Sequence, residues 1–233
     1  MLYYLFHVLG FVGVVIYMLI WAPKYGEKRG HAIIHMSLTY ASVYLLMMLL
    51  FYFVTGVFGG QNIVRIFMFV PPIALFYGKL MKIPAHTVLD RAAPIPCIVH
   101  GISHFGCIFE GCCYSVIKVD WGIYNPIVKE KLFPIQIFEA LTAVVIVVVV
   151  ILISKKKNYQ AGGITMPWML FLFGITRFAW EFLRDNKKLF WGISELALWA
   201  LATAIVGAVW LIIAEYKKSK LLEQDSSNLE AST

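Results

Sequence analysis

Long apolar runs constrain this chain more than any other feature, because they occupy most of its length. The sequence is 61% hydrophobic and 14% charged, and its mean hydropathy is +0.78. Soluble domains carry a smaller apolar share, and about 20 apolar residues suffice to cross a bilayer as a helix. The pattern predicts an all-α polytopic membrane protein with about seven transmembrane helices.

Basic clusters set the expected orientation of these helices. The predicted spans are 3–22, 33–58, 63–77, 92–109, 135–153, 164–183 and 194–214, and lysine or arginine clusters follow the first, third, fifth and seventh. Cytoplasmic loops carry an excess of Lys and Arg, so we expect the N-terminus outside and the C-terminus in the cytoplasm. Residues 1–214 would form one membrane domain and 215–233 a polar, disordered cytoplasmic tail. The net charge of +7 is then a matter of topology, and nucleic acid is not an expected partner.

The stretch 98–115 is unlike a helix made only to fill lipid. Glycines recur there at 101, 106 and 111, His100 and His104 lie four residues apart, and three of the four cysteines follow at Cys107, Cys112 and Cys113. Glycine admits close approach or irregular backbone, which at membrane depth is tolerated only beside protein or a watery cavity. We interpret the stretch as the wall of a site.

An arginine inside the sixth predicted span is the most informative charge. An unpaired arginine at mid-helix costs at least about 2.5–3.5 kcal/mol, so such residues are functional candidates. Glu181 follows Arg177 by four residues, on the same helix face, and can orient the guanidinium. Guanidinium suits phosphate, which makes a phospholipid head the expected ligand. A purely structural ion pair is the alternative.

Four stretches of the sequence match the pattern of one known family. F-G-I-T-R-F-A-W-E-F-L-R at 173–184 resembles the family signature Y-G-x-x-R-F-x-x-E-x-x-R, and F-P-I-Q-I-F-E at 133–139 is similar to H-P-x-Q-x-Y-E. S-H-F-G-C-I-F-E-G at 103–111 falls where the family has G-R-x-G-N-F-x-N-G, and Y-Y-L-F-H-V-L-G-F at 3–11 resembles its tyrosine-bearing first helix. The stretches occur in the same order as in that family, and the sequence thus resembles the prolipoprotein diacylglyceryl transferases.

The resemblance implies a bacterial plasma-membrane enzyme that needs no metal or organic cofactor. It would move the diacylglyceryl group of phosphatidylglycerol to the lipobox cysteine thiol of an exported prolipoprotein and release glycerol phosphate. Arg177 would hold the lipid phosphate and Glu181 would orient Arg177. The predicted substrate-binding residues are Tyr3, Gly106, Glu110, Gln136, Glu139 and Arg184.

The chain also departs from the family pattern. His104 replaces the family's arginine, Cys107 and Glu110 replace its two asparagines, and F-M-F-V-P-P stands where H-G-G is expected. A histidine is charged only part of the time at neutral pH, so it is no simple substitute for a guanidinium. A relative with a different acceptor is therefore an alternative function.

The histidines and cysteines allow further hypotheses. Either His100 or His104 could take the acceptor thiol's proton, given a separation of about 3 Å. Cys97, His100, His104 and Cys107 would form one helical stripe, but four ligands along one helix are too far apart to share a zinc ion. Two further alternatives are a thiol-redox or metal protein centred on Cys107–Cys113 and a lipid or ion carrier that uses Arg177 and Glu181 as a gate. Cys112 and Cys113 could equally be small residues in a tight turn.

Overall fold

The chain is built mainly from helices. The computed structural model describes residues 2–21, 28–56, 63–155 and 163–230. The helices are α1 (Leu2–Trp21), α2 (Arg29–Thr55), α3 (Ile63–Leu80), α4 (Ala85–Ala92), α5 (Ile95–Glu110), α6 (Ile135–Ser154), α7 (Thr165–Glu181) and α8 (Glu195–Glu230). Two antiparallel hairpins pair β1 (Lys118–Asn125) with β2 (Glu130–Leu132), and β3 (Lys188–Phe190) with β4 (Ile193–Ser194). The predicted all-α fold class is confirmed.

Long apolar helices make this a multi-pass membrane protein. Five segments of the described chain are long and apolar enough to cross a bilayer: Tyr4–Trp21, Arg29–Phe53, Ala85–Glu110, Ile135–Ser154 and Glu195–Lys217. The apolar part of α3 is shorter, Phe67–Leu80, and α7 has 17 residues. The count of seven spans and their orientation stay predictions, as does the division of the chain at residue 214.

The fourth predicted span differs from the prediction, because a second helix precedes it. The sequence places residues 85–91 in a connection, but α4 covers them and is largely buried. Asp90 Oδ1 accepts a hydrogen bond from Thr165 Oγ1 at 2.6 Å. Arg91 Nη2 donates to His35 Nδ1 at 2.6 Å, and His35 Nε2 donates to the Ala74 carbonyl at 2.9 Å. These hydrogen bonds reduce the cost of burying the polar groups that make them.

The polar connection 112–133 contains the β1–β2 hairpin. One other expectation was wrong: the tail was predicted to be disordered, yet α8 continues through Glu230. Residues 215–224 are rich in Lys, Leu, Glu and Gln, which are good helix formers, and they extend a helix that has already nucleated. Residues 231–233 lie outside the described residues.

Close helix contacts bring the polar residues of three helices together. Helix α5 packs between α1 and α6, and α7 packs against α6 and α8. A Cβ at Gly101 of α5 would lie 3.3 Å from Ala143 Cβ of α6, and a Cβ at Gly174 of α7 would lie 2.4 Å from Ala204 N of α8. Small residues let helix backbones approach closely in membranes. The C-terminal ends of α5 and α7 therefore meet the N-terminal end of α6.

Candidate functional site

Glu139 of α6 is the centre of a buried polar cluster. Its side chain accepts hydrogen bonds from Arg184 Nε at 2.8 Å and Arg184 Nη2 at 2.5 Å. Arg177 Nη1 also donates to Glu139 Oε1. The two carboxylate oxygens thus hold two guanidiniums, one of them in the bidentate geometry that gives the strongest carboxylate pairs. Glu139 is 2% exposed.

Glu181 is the second carboxylate of the cluster and fixes Arg177 from its own helix. Arg177 Nη2 pairs with Glu181 Oε1, as the four-residue spacing predicts. Glu181 Oε2 accepts hydrogen bonds from Asn186 Nδ2 at 2.6 Å and Ser194 Oγ at 2.9 Å. These contacts tie the end of α7 to the β3–β4 hairpin and hold the guanidinium in one orientation.

Charges in the cluster balance. Arg177 and Arg184 contribute two positive charges, and Glu139 and Glu181 contribute two negative charges, all almost fully buried. Buried charges are tolerated when they are paired and hydrogen-bonded, and an uncompensated one is strongly destabilising. Within the described part of the chain, Arg177 Nε has no hydrogen-bond partner. One donor of a buried guanidinium therefore stays available.

Arg184 reaches the cluster through an unusual chain path after α7. Helix α7 ends at Glu181, and residues 183–185 run beside 114–116: Val116 N donates to Leu183 O at 3.0 Å, and Asp185 N to Tyr114 O at 3.3 Å. The Tyr114 hydroxyl donates to Asp185 Oδ2 at 2.6 Å, and this bond raises the pKa of the phenol. The turn carries Arg184 back toward Glu139, where an extended helix would have placed it about 10 Å further along.

His104 lies between a cation and an anion. Its Nδ1 is 3.2 Å from the His100 carbonyl, which can only accept a hydrogen bond, so Nδ1 carries the proton. Its Nε2 is 2.9 Å from Arg184 Nη2 and 2.6 Å from Glu139 Oε2. A neutral His104 accepts from Arg184, and a protonated one donates to Glu139. Each state leaves one unfavourable contact at Nε2, with the acceptor Glu139 Oε2 when the ring is neutral and with the donor Arg184 Nη2 when the ring is protonated.

His100 lies deeper beside the same carboxylate. Its Nε2 is 3.9 Å from Glu139 Oε2. The His100 ring centroid is 4.0 Å from the ring centroid of His104, and the His100 ring packs edge-on against Phe173. His100, His104 and Glu139 are close enough to share an ion. The carboxylate is already engaged by both arginines, however, and this disfavours a cation there.

A cleft leads to the cluster between α6 and α7. Its cavity volume is about 10 Å³, and it is lined by Glu139, Arg177 and His100 together with apolar or weakly polar neighbours: Thr142, Ala143, Ile146, Phe173, Thr176 and Trp180. Glu139 and Arg177 therefore border a small gap between the two helices.

Three cysteines form a second cluster at the end of α5. Gly111 ends the helix in the left-handed conformation, with φ 70°, and turns the chain so that Cys112 N donates to Cys107 O at 3.2 Å. Gln136 Nε2 donates to the Cys112 carbonyl at 2.9 Å. The thiol hydrogen bonds from Cys107 and Cys112, together with the nearby Arg184 charge, hold the pKa of the Cys113 thiol well below its usual range.

The structure brings most of the predicted site residues together. One cluster contains Arg177, Glu181, Arg184, Glu139, His100 and His104. Beside this cluster lie Gln136 and Cys107, together with Cys112 and Cys113. Gly106 is buried within α5, and Glu110 is exposed at its end. The side chain of Tyr3 lies outside the described residues. Cys97 is buried in the apolar core, so the helical stripe considered for zinc does not converge.

Sequence reasoning missed the residues that position the site. Asn125 is buried, donates from Nδ2 to Gly111 O at 2.9 Å and accepts from Ile127 N at 2.9 Å. Its signal was the Asn-Pro turn dipeptide at 125–126. Asn186 and Ser194 had no local signal, because their contacts with Glu181 depend on where the chain returns after α7.

Comparison with known sequences identifies the family of the chain. The sequence model of the prolipoprotein diacylglyceryl transferase family matches residues 2–214. A search of curated protein sequences finds no match.

Proposed function

The chain belongs to the prolipoprotein diacylglyceryl transferase family, and from this premise we propose that its donor is phosphatidylglycerol and its acceptor a lipobox cysteine thiol. Family membership makes it a bacterial inner-membrane transferase that moves a diacylglyceryl group from a phospholipid to prolipoprotein. The proposal concerns the identity of both substrates, the residues that bind them, and the outer face of the inner membrane as the place of reaction.

Arg177 is the residue we assign to the donor phosphate. It is 3% exposed, it lines the cleft between α6 and α7, and its Nε–H has no partner in the described chain. A lipid that enters the cleft would bring its phosphate to this donor while Glu139 and Glu181 keep the guanidinium in place. This unpartnered donor is the single observation that carries the proposal.

The reaction needs a base, and His104 is the better placed histidine. The acceptor thiol gives its proton to His104 Nε2 and its sulfur attacks the glycerol carbon that bears the phosphate. A carbon–sulfur bond forms, the carbon–oxygen bond breaks, and its electrons leave on the oxygen of glycerol phosphate. Arg177 stabilises the charge on this leaving group. The protonated His104 then donates to Glu139, 2.6 Å away.

Purified protein, labelled phosphatidylglycerol and a lipobox peptide test these assignments. Arg177→Lys keeps the charge but loses the planar fork, and we expect the rate of peptide lipidation to fall about 100-fold or more. Lys118→Ala is the control, because Lys118 is an exposed cation at the same end of the molecule, paired only with Glu130 in the described chain. Near-normal activity of Arg177→Lys would contradict the phosphate role.

A second comparison tests the base. His104→Phe should abolish transfer, whereas His100→Phe, which keeps a ring against Phe173, should retain more activity. The reverse order would assign the base to His100.

A further inference from the structure

The geometry of Cys107, Cys112 and Cys113 points to a metal site that the transfer reaction does not use. We propose that the three thiolates bind one thiophilic d¹⁰ cation, with copper(I) as the expected occupant. Soft sulfur ligands select copper(I) and zinc over harder cations.

The three sulfurs are close enough to share one ion. Their Sγ atoms all lie within 4.8 Å of one another. An ion bound to three sulfurs at about 2.3 Å would separate the sulfurs by about 4 Å. The cysteines are not joined by disulfides, and Cys112 and Cys113 are partly exposed. Side-chain adjustments of less than 1 Å, on the order of thermal motion, would complete a trigonal site that an ion can reach.

The backbone around the cysteines is held in place by buried amides. Asn125 Nδ2 binds the Gly111 carbonyl, and Gln136 Nε2 binds the Cys112 carbonyl. Cys113 has φ 58°, a left-handed conformation that costs a non-glycine residue free energy and persists where the surroundings enforce it. Because this conformation turns Cys113 Sγ toward Cys107 and Cys112, the strained backbone and the sulfur cluster have one explanation.

The donor count favours copper(I) over zinc. Structural zinc takes four protein ligands, but among the described residues the metal-type cluster at this position contains only the three cysteines. The nearest imidazole, that of His104, has partners at both ring nitrogens. The guanidinium of Arg184, which lies close enough to Cys113 to interact with its charge, would offset the negative charge of a three-thiolate complex.

Metal binding to the full-length protein tests the site without reference to transfer activity. The protein would be purified in detergent under anaerobic, reducing conditions and titrated with copper(I) from a chromogenic chelator, and in parallel with zinc(II). We expect about one equivalent of copper(I) per chain, bound more tightly than zinc(II). Cys113→Ser should weaken binding by more than about 100-fold, and Gln136→Leu, which only frees the Cys112 carbonyl, by about 10–100-fold.

Cys97→Ser is the matched control, since Cys97 is buried in α5 away from the three sulfurs. The copper affinity of this variant should equal that of the wild type. X-ray absorption of the wild-type complex, which does not depend on any variant folding, should show only sulfur neighbours at about 2.2–2.3 Å. Absence of bound copper and zinc, unchanged affinity in Cys113→Ser, or a shell of nitrogen and oxygen would each overturn the site. None of these results depends on whether Arg177 binds phosphate.

Discussion

Glu139→Gln is the most discriminating change at the buried cluster, because it keeps the side-chain shape and removes one charge. Glu139 holds Arg184 through two hydrogen bonds and Arg177 through one. In the variant two guanidiniums and one carboxylate, Glu181, remain, so the cluster carries an uncompensated positive charge. The variant should be less stable than the wild type and should acquire affinity for anions.

The size of the effect follows from burial. Removing one partner of a buried ion pair costs about 3–5 kcal/mol, and a chain of this size loses about 2–4 °C in unfolding midpoint per kcal/mol. The expected decrease is therefore about 6–20 °C. Inorganic phosphate at about 100 times its Kd would restore about 2.7 kcal/mol, because it binds the folded state alone.

The assay is thermal unfolding of the detergent-solubilised protein with and without phosphate at constant ionic strength. Glu130→Gln is the matched control: its partner Lys118 is 2.7 Å away, but their side chains are 42% and 69% exposed. Such surface pairs contribute about 0–1 kcal/mol. Glu130→Gln should melt close to the wild type and should not respond to phosphate.

Two outcomes would refute the reasoning about Glu139. A Glu139→Gln midpoint within the range of the Glu130→Gln control would mean that Glu139 does not compensate the arginines. A normal loss of stability with no response to phosphate would mean that the freed guanidiniums do not form an anion site. The second result would also remove support for a phosphate ligand of Arg177.

Three further predictions concern stability and accessibility. Gly174→Ala should lower the unfolding midpoint by several degrees, because its Cβ would lie 2.4 Å from a backbone nitrogen of α8, whereas Gly30→Ala, with open space around its Cβ, should not. Asp90→Asn should cost about 1–3 kcal/mol in denaturant or thermal melts, since its carboxylate accepts hydrogen bonds from Gly163 and Thr165. Asn125→Ala should loosen the turn after α5, and the measured rate of Cys113 alkylation by maleimide should rise while the folded fraction stays unchanged.

Sequence reasoning succeeded where one helix determines the geometry. The pairing of Arg177 with Glu181 follows from four-residue spacing on a continuous helix, and the apolar runs located α1, α3, α6 and α7 to within a few residues. The end of α5 at Gly111 is also a local property, because glycine is the residue that most readily adopts the left-handed helix cap.

Sequence reasoning failed where residues from several helices and loops had to meet. The sequence indicated Glu139 as one lining residue, but its position between two arginines depends on how α6 and α7 pack and on the return of the chain after Glu181. Arg184 looked like a more distant charge only because α7 was extended past its actual end. The burial of Asp90 and Arg91 was likewise unpredictable, since their partners His35 and Thr165 lie 56 and 75 residues away.

Charge balance makes a stable buried cluster compatible with the reaction proposed for it. Two buried guanidiniums without carboxylates would need a bound anion at all times, and release of glycerol phosphate would destabilise the protein. Glu139 and Glu181 supply this compensation permanently, but they engage only the Nη atoms of Arg177 and leave its Nε–H unpartnered within the described chain. In the proposed reaction, the phosphate would bind and leave through that one donor without breaking the ion pairs. Arg177 also lines the cleft between α6 and α7, from which we propose that the lipid approaches.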